Sequence, residues 1–66
     1  MSVSAKLSPE EIKAIQEEIE SKSKEIELKR NQIKKETQFN KQVDINVEIN
    51  GLREEIKELE SELSHE

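Results

Sequence analysis

The sequence predicts an all-α fold: an antiparallel helical hairpin of coiled-coil type, expected to associate into a dimeric four-helix bundle. The first observation behind this is a ladder in the C-terminal half. Ile45, Ile49, Leu52, Ile56, Leu59 and Leu63 are spaced 4-3-4-3-4, which is the seam of a coiled coil. The second is a separate ladder upstream, Ile12, Ile15, Ile19, Ile26 and Ile33, four of whose members stand seven residues apart. Its register, extended, reaches Asn40 and Val47, two residues out of phase with Ile49. No straight helix keeps both ladders on one face, so the chain has to turn between about Ile33 and Ile45. The third is composition. Charged residues make up 41% of the chain and aromatics 2%, with one Gly and one Pro, the profile of a long-helix protein.

The elements follow in order. Residues 1–7 are small and mixed and read as a flexible N-terminal segment, leaving 8–66 as a single hairpin. Ser8-Pro9-Glu10-Glu11 then marks a helix start. The Ser8 hydroxyl is placed to accept from the Glu11 amide while the Glu11 carboxylate reaches back to the Ser8 amide. Pro9 falls where its missing N–H is not needed. Leu7 and Ile12 occupy the two positions of a hydrophobic staple. The first helix is predicted over 9–36. Glu18–Lys22, Glu20–Lys24 and Glu25–Lys29 are i,i+4 pairs in the favourable order. Its second seam track, beginning at Ile15, runs on through Lys22, Lys29 and Glu36. Those polar occupants predict a weak seam, with long Lys stems lying along it and their charges at the edge.

Thr37–Gln42 is polar apart from Phe39, and the connection is read over 37–43. The next stretch is ambiguous. Val43, Ile45, Val47 and Ile49 alternate with Asp44, Asn46, Glu48 and Asn50, the pattern of a half-buried strand. Ile45 and Ile49 are also the first rungs of the second ladder. Helix is favoured, because Leu52-Arg53-Glu54-Glu55-Ile56 does not alternate and supplies no partner strand. The second helix is predicted over 44–64, with Gly51 a weak point costing about 1 kcal/mol. An alternative keeps only the second ladder, as a parallel coiled coil from which the first helix splays.

The chemistry-bearing residues point away from catalysis. His65, the single histidine, stands beside Glu62 and Glu66 at the end of the sequence, where neither a held geometry nor a pocket is expected. The carboxylates read as solvated helix faces. No enzyme activity, cofactor or metal is expected. No apolar run approaches a membrane span of about 18 residues, and no membrane partner is expected. The default location is cytoplasmic.

Size argues for association. Sixty-six residues with an eleven-member aliphatic ladder and no cysteine make a core that seldom holds alone. The expected function is therefore protein–protein interaction, as an oligomeric adaptor, an assembly factor or a regulator that masks a partner helix. Its partners would be itself, as a homodimer, or another protein's helix, through Ile12, Ile15, Ile19, Ile26, Ile33, Ile45, Ile49, Leu52, Ile56, Leu59 and Leu63. The alternative is a nucleic-acid-associated protein using Lys29, Arg30, Lys34, Lys35 and Lys41. Residues 22–41 carry seven basic and three acidic groups, whereas 52–66 carry two basic and six acidic. Against that alternative stand the single aromatic, Phe39, and the net charge of −5, since nucleic-acid grooves favour positive charge with stacking platforms.

Overall fold

A computed structural model describes residues 7–64 as two α-helices, α1 (Pro9–Lys35) and α2 (Phe39–Leu63), folded into a hairpin. Leu7 alone of the predicted flexible segment, and none of His65 and Glu66, falls within the described residues.

α1 begins as its sequence dictates. The Glu11 amide donates to Ser8 Oγ at 3.2 Å, and the Ser8 amide donates to Glu11 Oε1 at 2.9 Å. That closes the capping box with Pro9 at the first helical position, satisfying two of the N–H groups that a helix start leaves unpaired. Glu10 and Glu11 lie in the first turn and Lys34 and Lys35 in the last, each on the side that the helix dipole favours.

The turn is shorter than the sequence suggests. Instead of 37–43, the connection is Glu36–Gln38, and α2 starts at Phe39 rather than Asp44. Both cap residues, Glu36 and Gln38, have extended backbones, and no residue has positive φ among those described. The helix end is closed without glycine. The Glu36 amide donates to the Ile33 carbonyl at 3.1 Å. Gln42, one turn into α2, donates from Nε2 to the carbonyls of Glu36 (2.7 Å) and Ile33 (3.3 Å). The Gln38 amide donates to a Glu36 carboxylate oxygen at 3.0 Å. A side chain from the second helix thus satisfies the last carbonyls of the first, and this contact lets residues 39–43 wind into α2 from its first turn.

Residues 43–50 are helical. Ile45 and Ile49 face α1, with Ile49 only 3% exposed, while Val47 is 63% exposed on the outer side. Packing of two rungs against α1 outweighs the strand-like alternation. The splayed-arm arrangement is excluded by the same packing of α1 on α2.

The molecule measures 54 × 19 × 10 Å across its Cα atoms, so it is a single layer of helices. Its seam is correspondingly thin. Ile15, Ile19, Ile26, Ile33, Ile45, Leu52, Ile56, Leu59 and Leu63 are all half-buried and Ile49 alone is buried. Ile12 departs from the expected core and is 36% exposed. α2 ends at Leu63, which leaves no described turn of α2 alongside Ile12.

Candidate interaction surface

Two ion pairs set the register of the hairpin. Lys22 Nζ lies 2.9 Å from Glu55 Oε1, and Lys29 Nζ lies 2.8 Å from Glu48 Oε1. The lysines are one heptad apart on α1 and the glutamates one heptad apart on α2, as two antiparallel strands of a coiled coil require. Both lysines sit on the seam track, with side chains only 22% and 21% exposed. Their stems lie along the apolar contact and their ammonium groups emerge at its edge. The hydrogen bond that Lys22 donates to Glu55, helped by the carboxylate's charge, holds the Lys22 ammonium above the ordinary 10.5 against the opposing effect of desolvation. Glu48 does the same for Lys29. The polar seam positions are thus register pins.

The two flanks of the seam differ in character. Successive helical residues are about 100° apart, so residues seven apart share a flank. The flank that carries the ion pairs presents Glu18 and Glu25 on α1 and Glu48, Glu55 and Glu62 on α2. The other presents Gln16, Ser23 and Arg30 on α1 and Asn46, Arg53 and Glu60 on α2. Between the helices on that second flank runs a shallow groove lined by Ser23, Ile26, Glu27, Arg30 and Arg53. The sequence signal for this difference lies in the heptad positions beside each ladder, not in the ladders themselves.

The basic segment does not gather into one patch. Lys29 is engaged with Glu48, Arg30 and Lys34 share the opposite flank, and Lys35 lies on the outer side by the same helical phase. Lys41 stands on α2 one heptad before Glu48. Outside the seam, Phe39, Val43, Val47 and Leu28 are exposed. Among the described residues no polar or charged side chain is buried, and no cluster of three metal-ligating side chains is found. None of the helices is long and apolar enough to cross a membrane.

Residues 1–56 match the family model described as a domain of unknown function (DUF4391). The chain belongs to this family. Within the matched span of the DUF4391 domain lie the whole of α1, the connection and both cross-helix ion pairs. No curated protein and no solved structure matches the chain.

Proposed function

We propose that this chain is a non-enzymatic protein–protein interaction module: a helical hairpin that pairs with a second copy into a four-helix bundle. In that form it would serve as an oligomeric adaptor, an assembly factor or a regulator that masks a partner's helix. The observation that carries the reading is the incomplete seam. Eleven ladder residues yield one buried side chain, Ile49. A layer 10 Å thick leaves both flanks of the ladder open to water, whereas stable domains bury such stripes between two layers. A second hairpin supplies the missing layer and raises the burial of every rung at roughly 25 cal/mol per Å² of apolar surface. The absence of any buried charged or polar side chain among the described residues also favours a contact surface over a reaction site, because shifted acid–base groups arise from burial and close charge. The nucleic-acid alternative draws no comparable support, since the Lys29–Lys41 segment is spread around two helices and one of its charges is paired.

Thermal melts across a hundredfold range of chain concentration test this reading. Mass action makes the melting temperature of an obligate dimer rise with concentration. A melting temperature independent of concentration contradicts it.

A further inference from the structure

We infer that the second copy docks on the Ser23–Arg30–Arg53 flank with its turn at the opposite end, so that α1 of one hairpin runs antiparallel to α1 of the other. This rests on the dimer reading above and adds to it a face and an orientation. Two independent observations carry it.

The first selects the face. The ion-pair flank carries Glu18, Glu25, Glu48, Glu55, Glu58 and Glu62 along its length, against the two paired lysines and Lys41 near the turn, and so stays net acidic. Two copies brought together there would set like charges against one another, which opposes association. The other flank is lined by Gln16, Ser23 and Asn46 with Arg30 and Arg53, and its acids, Glu20, Glu27 and Glu60, alternate with those two arginines and do not form a continuous row. Short side chains beside a half-buried ladder let a second layer approach Ile26 closely in the existing groove.

The second selects the orientation. The open end of the hairpin, residues 8–21 and 54–64, carries ten acidic and two basic residues, a net charge of −8. The turn end, residues 22–53, carries eight basic and five acidic residues, a net charge of +3. Copies with their turns together would place positive on positive and negative on negative. Copies with turns apart place each basic end over an acidic one, which fixes register and speeds encounter. With the two-fold axis near the middle of the groove, between Ser23 and Ile26, Arg30 comes level with the partner subunit's Glu20. Arg53, near the axis, comes level with the partner subunit's Glu27, which offsets the approach of the two Arg53 side chains, and symmetry repeats both contacts. The side chains of Glu20 and Arg30 are exposed in the single hairpin, so their substitution leaves its fold intact.

Charge reversal tests the face. In the full chain, Arg30→Glu and Glu20→Arg should each weaken dimerisation tenfold or more, and the combined Glu20→Arg/Arg30→Glu chain should recover it. Residues 20 and 30 are about 15 Å apart along one helix at 1.5 Å per residue, so recovery reports a contact between copies. Spin labels on Thr37→Cys test the orientation. They should lie roughly 35 Å apart in the dimer by the same rise per residue, whereas turns at one end would bring them within about 20 Å. A dimer with the short spacing, or one in which the combined chain fails to recover, overturns the face and orientation while the dimer reading stands. A chain that stays monomeric at every concentration overturns both.

Discussion

Lys29 and Glu48 meet across the hairpin, nineteen positions apart in the chain, with a hydrogen bond of 2.8 Å from Nζ to Oε1. The lysine occupies a seam position where an aliphatic residue would give more burial. What it supplies is register: repeated one heptad away by Lys22 and Glu55, the contact is lost if α2 slides by even one turn along α1. Replacing Lys22 and Lys29 together by Leu should raise the melting temperature while loosening the alignment of the two helices, because hydrophobic replacement of ion pairs is often stabilising. A lower melting temperature would show that the pairs contribute more than alignment.

The same pairs give a pH signature. Both lysines titrate above 10.5 in the folded chain. Their contribution is therefore fully present below that value and is lost as pH rises through the raised folded-state value. Measured against the Lys22→Gln/Lys29→Gln chain, the advantage in melting temperature should hold from neutral pH to about 10 and narrow above it. It should also narrow at 1 M salt, where the screening length is about 3 Å. An advantage unchanged to pH 12 contradicts the assignment.

Gln42 closes the C-terminal end of α1 with two hydrogen bonds. Gln42→Glu removes the donors and sets a carboxylate against two carbonyl oxygens. It should cost about 1–3 kcal/mol, the range for stranding partly buried polar groups, read as a lower urea midpoint. An unchanged midpoint would mean that water replaces the side chain at no cost.

Gly51 is helical, and a Cβ built there meets no atom within 4 Å. Gly51→Ala should stabilise the hairpin by up to about 1 kcal/mol. Destabilisation would reveal a contact at that position in the assembled form, on the acidic flank and not on the one assigned to the second copy.

Ile49 and Val47 form a contrasting pair at 3% and 63% exposure. Ile49→Ala should cost about 2–5 kcal/mol, shown by a strong loss of helical circular dichroism. Val47→Asp should cost under about 1 kcal/mol, as at an ordinary surface site. Equal effects would mean that Val47 is also covered.

Much of this architecture is legible in the chain. The capping box at Ser8 and Glu11 depends on residues three apart, and the two ladders announce their helices by spacing alone. The competing strand pattern of 43–50 is settled by Ile45 and Ile49, whose place in a longer 4-3 ladder outweighs four alternating β-branched residues. The start of α2 is not legible locally, since Gln38 makes no side-chain cap and Thr37–Gln42 has a loop-like composition. The contact that closes the turn joins Gln42 to residues six and nine positions earlier. Its one sequence trace is that Gln42 falls three residues before Ile45 and so continues the ladder. Lys22 and Lys29 look like defects in a seam until the glutamates opposite them are in place.

Sedimentation equilibrium of the full chain over a hundredfold concentration range tests the central claim most directly. A half-open seam in a single helical layer predicts a species of twice the chain mass that gains population with concentration, in moderate salt and without any added partner. A single species of one chain mass throughout, with the helices intact, would contradict it.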